Sequence, residues 1–379
     1  MNVEMKKIFL LLQFLFGGQL YSLYAQEKCA DIWPMPEYLS NDYRQEICIP
    51  DVGEYKVLKC DLHTHTTFSD GGVWPTVRID EAWSEGLDAI AITDHIEYRP
   101  RKDILKGDLN QSYFFAKKRA DEIGFLVIQG TEITRNKPIG HMNALFLEDA
   151  NRLKVKNAAE AVEEAHRQGA IVMLNHPGWP DNKSTMDTMH IRMMKENKIQ
   201  LIEVFNTSSF YPKVTEWAKE YNLGYVASSD MHGTSANRYL MDKVFRPMTL
   251  VFSKSYSLDG IKEALFERRT VAFFNQHLSG SKDNLNALFE ACISAEIVSV
   301  NKEKKRYIIE VKNKSDILFV LKAGKGLPIR LLPQKTYRMF ISIPNVKREY
   351  AIVNAHTGLD QCLKVQLPIK NLAKYGTEK

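Results

Sequence analysis

The chain is 379 residues long, 44% hydrophobic and 26% charged, with a formal charge of +5. That length holds one large domain plus a smaller one, and the composition excludes a disordered, fibrous or low-complexity chain. The mild positive charge does not by itself point to nucleic acid or a membrane surface.

Lys6 and Lys7 precede an apolar run, Ile8 to Phe16, too short to span a bilayer as a helix. Ala25 stands at a cleavage position. Residues 1–25 therefore resemble a secretory signal peptide, which predicts an exported chain, periplasmic or secreted, with no transmembrane helix after cleavage. Gln26-Glu27-Lys28 ahead of Cys29 are polar or charged, which argues against a lipid anchor. Export permits disulfides, and a Cys29–Cys48 pair would staple the Pro-containing arm expected over 26–56. Cys60 sits in an apolar strand and reads as a buried thiol. The five cysteines contain no C-x-x-C and suggest no thiolate zinc site.

Strand and helix signals then alternate. Strands are expected at 57–62, 88–93, 125–129, 144–147, 170–174, 199–205, 224–227 and 248–252. Helices are expected at 77–85, 110–123, 158–168, 185–197, 211–221 and 258–268. Wholly apolar strands separated by helices predict a parallel sheet buried on both faces. About seven such units fit a closed (β/α) barrel over 57–293 better than an open sheet. After a further helix near 283–293, residues 294–379 carry short strand signals and turns such as Asn313-Lys314. These predict a small C-terminal antiparallel β-sandwich, structural or supporting an oligomer.

In a barrel, chemistry sits where the strands end, and polar residues of ligand type stand at those positions. His63 and His65 close the first strand, and residues two apart on a strand share a face. Asp70 follows, with Gly71 and Gly72 permitting a tight turn. Asp94 and His95 close the second strand. Glu132, His141, His176, Glu203 with Asn206, and Asp230 with His232 follow the later ones. Six of the ten histidines thus fall at strand ends. Imidazole and carboxylate without thiolate suit zinc, manganese or iron. The set is too large for one ion and predicts two to three divalent metal ions, with a carboxylate bridging. Such a cluster suits hydrolysis of phosphate esters, although amide and deaminating hydrolysis also use barrel metal sites.

His63-x-His65 with Ser69-Asp70-Gly71, Ile92-Thr-Asp-His95, Glu132, His141, Asn175-His176-Pro177 and Asp230-x-His232 together resemble the PHP (polymerase and histidinol phosphatase) family over about residues 57–275. The runs Gly72 to Arg78 and Ile96 to Pro100 further resemble an exported phosphodiesterase branch. The resemblance implies an α/β fold, a distorted (β/α)7 barrel, with a trinuclear site. It implies a first ion held by His63, His65, Glu132 and Asp230, and a second on Glu132, His141 and His176. Asp70, His95 and His232 would hold a third. Some family members carry histidine at the position of Asp70, which bears on the third ion. Asp94 is then expected to orient a histidine or to cap the following segment.

The expected reaction is attack on the phosphorus of a small phosphodiester by a metal-bridging hydroxide, with Asp230 or His232 assisting proton transfer. Arg99, Arg101 and Arg135 follow strand ends and match phosphate geometry, and Asn206 is a further candidate substrate contact. A nuclease or a phosphomonoesterase is the alternative, but no basic groove interleaved with stacking aromatics stands out as a nucleic-acid signal. A non-catalytic metal-binding scaffold would lack ligands, and this set looks complete.

Overall fold

A computed structural model describes residues 43–240 and 244–375, the side chains of Asn237 and Leu240 excepted. The expected signal segment 1–25, Cys29 and most of the arm 26–56 lie outside the described residues.

Strands β1 (Lys56–Asp61), β2 (Ala89–Ile92) and β3 (Leu126–Ile133) pair in parallel. Helices α1 (Pro75–Ser84) and α2 (Gln111–Ile123) provide the crossovers that parallel neighbours need. Pro75 begins α1, where its missing N–H costs nothing. Gly124 ends α2 in the left-handed conformation, φ 66°, and its N–H bonds Ala120 O.

Strand β4 (Met142–Leu145) follows β3 after a loop too short for a crossover helix. It therefore returns antiparallel, and it also pairs antiparallel with β5 (Ile171–Leu174). The run of parallel pairs expected from the sequence is broken there. Beyond α3 (Ala158–Arg167) and α4 (Thr188–Lys195), β6 (Leu201–Asn206) pairs in parallel with β5. The two-residue β7 (Ser209–Phe210) folds back on β6. Helix α5 (Val214–Glu220) then leads to β8 (Gly224–Ser228), which pairs in parallel with β6.

Strand β9 (Met248–Ser253) runs antiparallel to β1. After α6 (Leu258–Phe266), β10 (Thr270–Phe274) and β11 (His277–Gly280) extend the sheet as an antiparallel pair, which the sequence reading missed. The result is a mixed α/β fold around a large sheet rich in parallel pairs. Side chains from β1 to β6, β8 and β9 share one buried apolar interior, including Leu58, Cys60, Ile128, Met173, Val226 and Val251. Truncating Ile128, fully buried there, would cost about 2–5 kcal/mol. The Thr249 hydroxyl of β9 donates to Ala227 O (3.0 Å) and accepts from Ala227 N (3.1 Å), tying β9 to β8 through a side chain.

Helix α7 (Lys282–Cys292) leads into two further groups of strands. The first, β12 (Ile293–Asn301) and β13 (Arg306–Asn313), forms an antiparallel sheet with β16 (Thr336–Ser342). The second comprises β14 (Phe319–Lys322), β15 (Ile329–Leu331), β17 (Tyr350–Gly358) and β18 (Gln361–Val365). It joins the main sheet where β17 pairs with β11, Leu278 beside Ala355. Ile309, Phe319 and Ile352 share a buried cluster with Ile79, Leu250 and Phe289, so this region leans on the core of the preceding residues. No helix among the described residues is long and apolar enough to cross a membrane.

Candidate metal centre

The loops after β1 and β8 carry His63, His65, Asp230 and His232, and backbone pairing continues past the strands. Asp230 N donates to His63 O (3.0 Å), His65 N to Met231 O (3.1 Å), and Gly72 N to His232 O (2.7 Å). Asp61, fully buried at the end of β1, accepts the N–H (3.0 Å) and the hydroxyl of Ser229. Arg78 of α1, also fully buried, donates to His65 O (3.0 Å) and Met231 O (3.1 Å). Gly71 is required where it stands, because a Cβ there would lie 2.7 Å from the backbone N and O of Thr66.

All nine residues expected as metal ligands come together. Ligand atoms group as His65, Asp70, His95 and His232; as His63, His65 and Asp230; as His63, Glu132 and His176; and as His95, Glu132 and His141. Asp230 Oδ1 lies 3.3 Å from His63 Nε2 and 3.1 Å from His65 Nε2. Glu132 Oε1 lies 3.1 Å from His141 Nδ1 and 3.4 Å from His176 Nε2, while Oε2 lies 2.7 Å from His95 Nδ1. Glu132 is central, as expected of a bridging carboxylate. Asp70 Oδ1 reaches His232 Nε2 (3.2 Å) and His95 Nε2 (3.5 Å), the pairing expected for it. His65 stands between two of the groups, so the boundary between the first and third sets is less sharp than the sequence partition implies.

Three oxygens decide whether these residues fit metal ions. Asp70 Oδ1, Glu132 Oε2 and Asp230 Oδ1 are buried, accept no well-aligned hydrogen bond, and face only the nitrogens of neighbouring imidazoles. An ionised carboxylate oxygen left so is costly unless a cation or a proton meets it. With six imidazoles around them and no thiolate, the donor set suits two or three hard or borderline divalent cations. The electrostatics agree. Burial opposes ionisation of Glu132 and Asp230, but His63 and the other imidazoles outweigh it and hold both well below the usual carboxylate range. Burial likewise opposes protonation of His63, yet Asp230, Glu132 and Glu203 hold its pKa well above the ordinary value. His65, against which burial prevails, falls to about 4. His232, where Asp70 overcomes burial, rises to about 9.

Outer contacts set the rings. Glu203, fully buried on β6, accepts from His63 Nδ1 (3.0 Å), His176 N (2.7 Å) and Asn206 Nδ2 (2.9 Å). Asp94 accepts from Thr66 N (2.7 Å), Thr66 Oγ1 (2.6 Å) and Ser69 Oγ (2.6 Å), and Ser69 Oγ lies 3.3 Å from His65 Nδ1. Asp94 thus orients a histidine through a serine. Asn175 donates to Glu132 Oε1 (2.8 Å). Glu203 and Asn175 are the site residues that sequence reasoning left without a role. Their signal was position alone, a carboxylate inside an apolar strand end and an amide next to His176.

The expected substrate contacts are held differently. Arg99 donates to Phe68 O (3.1 Å), and Arg101 to Ser69 O (3.0 Å) and Gly71 O (2.9 Å), so both brace the loop that carries Asp70. Arg135 pairs with Glu97 and donates to Val155 O (2.7 Å). Arg99 and Arg135 line a cleft of about 1010 Å³. Asn206 lies at the centre, 3.4 Å from Asp230 Oδ2.

Similarity to known proteins points to one family. The model of the PHP domain matches residues 61–242. A solved two-domain protein of Bacteroides vulgatus, described as containing a predicted PHP-like metal-dependent phosphoesterase, is 37% identical. The alignment covers 86% of this chain and 99% of that one, with a TM-score of 0.82. An uncharacterized protein of Methanocaldococcus jannaschii is 29% identical over 190 residues, 46% of this chain and 82% of the relative. A 5'-3' exoribonuclease of Haemophilus influenzae is 35% identical over 78 residues, only 21% of this chain and 24% of that enzyme.

Proposed function

The chain belongs to the PHP family of metal-dependent phosphoesterases, and within it we propose a phosphodiesterase that acts on small esters at a multinuclear centre. The observation that carries this reading is the convergence of three buried carboxylate oxygens on Asp70, Glu132 and Asp230 with six imidazoles, the oxygens accepting no well-aligned hydrogen bond. His63, His65, Glu132 and Asp230 would hold one ion, Glu132, His141 and His176 a second, and Asp70, His95 and His232 a third. Zinc, manganese or iron fits these donors. When bound, the ions supply Lewis acidity toward phosphoryl oxygens and a water acidic enough to ionise near neutral pH.

The protein's own groups do the rest. Glu203 fixes the His63 ring, and Asn206, whose amide stands between Glu203 and Asp230, is the candidate substrate contact at the centre. Asp230 and His232 are the candidates for proton transfer. The His232 side chain, 40% exposed, is the most open of the nine. We read the strands that share one interior as a distorted barrel, with these groups along one rim. The pattern of residues 6–25 supports export.

The test is hydrolysis of bis(p-nitrophenyl) phosphate, p-nitrophenyl phosphate and a short oligonucleotide after loading with manganese or zinc. Preference for the small diester supports the proposal. Preference for the oligonucleotide would favour a nuclease, a reading to which the similarity with the exoribonuclease over 78 residues lends weight.

A further inference from the structure

Beside the metal centre, a cavity of about 340 Å³ opens between the loop before β4 and the turn after β5. His141 and His176 form its inner wall, and Pro138, Ile139, Pro177 and Trp179 give it an apolar lining. That volume lies within the range of about 300–1,000 Å³ usual for small-molecule sites.

Trp179 is the unusual element. Its side chain is amphipathic and normally well buried, yet here it stands 56% exposed. Its ring centroid is 5.2 Å from that of His141 and 5.8 Å from that of His176. The turn that presents it is built tightly. Trp179 N donates to His176 O (2.9 Å) and Thr185 N to Pro177 O (3.1 Å). Gly178 lets the turn press onto Tyr211, since a Cβ there would lie 2.6 Å from the Tyr211 ring. Lys137 joins the two walls by pairing with Asp181 and donating to Lys183 O (2.8 Å). The exposed indole is therefore held in place next to two ligand imidazoles.

From this geometry we infer that Trp179 is a stacking platform for a planar aromatic group of the phosphate ester, so that aryl-bearing or nucleobase-bearing esters are the favoured substrate class. A phosphoryl group gripped beside His141 and His176 projects its substituent into this cavity, where the indole offers a rigid face. Every aromatic ring presents such a face, so the preference is for planarity and not for one ring. This rests on the phosphoesterase reading.

The test uses the manganese-loaded full chain and calorimetric binding of phenylphosphonate, methylphosphonate and a nucleoside 5'-phosphonate. The wild type should bind phenylphosphonate about tenfold more tightly than methylphosphonate, the size of one stacking contact. Trp179→Ala should abolish that preference with manganese content and methylphosphonate affinity unchanged. Trp179→Phe should keep most of it. The nucleoside arm shows whether the ring is accepted from a nucleotide or only from a small aryl ester, and binding of either by the Trp179 route upholds the inference. Equal wild-type affinities, or a preference that survives Trp179→Ala, overturn it. Because binding needs no turnover, absence of a phenyl preference in the wild type counts against the Trp179 inference alone, whereas absence of hydrolysis counts against the phosphoesterase reading.

Discussion

Glu203 Oε1 lies 3.0 Å from His63 Nδ1, and both side chains are wholly buried. The contact keeps a proton on His63 Nδ1, donated to Glu203, and turns Nε2 toward Glu132, Asp230 and His65. A carboxylate behind a ligand imidazole raises its basicity and fixes its tautomer. Glu203→Gln preserves shape and removes the charge. Its manganese affinity, measured by titration, should fall about 10- to 100-fold.

Cation binding at this centre competes with protons. Burial opposes the charged form of His95 and His176, but Glu132 holds both above the ordinary imidazole value. His232 rises to about 9 through Asp70 despite its own burial. Ligating imidazoles must be neutral, so metal binding at pH 7 should release protons. Calorimetry in buffers of different ionisation enthalpy should show that release, diminishing as the pH approaches 9. In metal-free protein the sign reverses. The stability from the raised histidines is complete below about 6.5 and is lost as pH rises toward 9. The melting temperature of chelated protein should therefore fall over that window, and less so in His232→Asn.

Arg78 links chemistry to scaffold. Its guanidinium serves His65 O and Met231 O and pairs with Glu81 at 2.7 Å, with the arginine side chain fully buried. Arg78→Met removes the ion-pair partner of Glu81 and a buried donor to both carbonyls, so a loss of about 3–5 kcal/mol is expected in urea unfolding. Manganese affinity should fall with it, and Arg78→Lys should lie between wild type and Arg78→Met on both readouts.

His190 offers a control away from the metals. Burial pushes its pKa down to about 4, and its Nδ1 accepts Asp187 N at 3.0 Å to close a capping box on α4. A depressed imidazole pKa contributes stability above about 6.5 that is lost as pH falls toward 4, roughly 3 kcal/mol at most. His190→Gln keeps an acceptor and cannot titrate. Between pH 7 and 4.5 it should lose less unfolding free energy than wild type.

Much of the ligand set was legible because His63, His65, His95, His176 and Asp230 stand shortly past apolar strands, where they have no packing reason to be. The meeting of Asp70 with His95 and His232 came from family resemblance, and the structure places those side chains together. Glu203 was flagged at a strand end but given no role, because a lone carboxylate within Leu201–Asn206 has no partner visible in sequence. Its partners His63 and His176 arrive from other strands. The antiparallel return of β4 and the β10–β11 pair were hidden for a related reason. Strand direction follows connection length and long-range pairing, and local apolar patterning does not report either. The arginines considered as phosphate grips also donate to loop carbonyls and pair with Glu97, contacts that only the folded loops reveal.

The most direct measurement is metal content and diester hydrolysis on the same samples of wild type, chelated wild type and Glu132→Ala. More than one ion per wild-type chain is predicted, with hydrolysis lost on chelation, regained on reloading with manganese or zinc, and absent in Glu132→Ala together with bound metal. Undiminished hydrolysis by chelated, metal-free protein would contradict a multinuclear phosphoesterase centre built on Glu132.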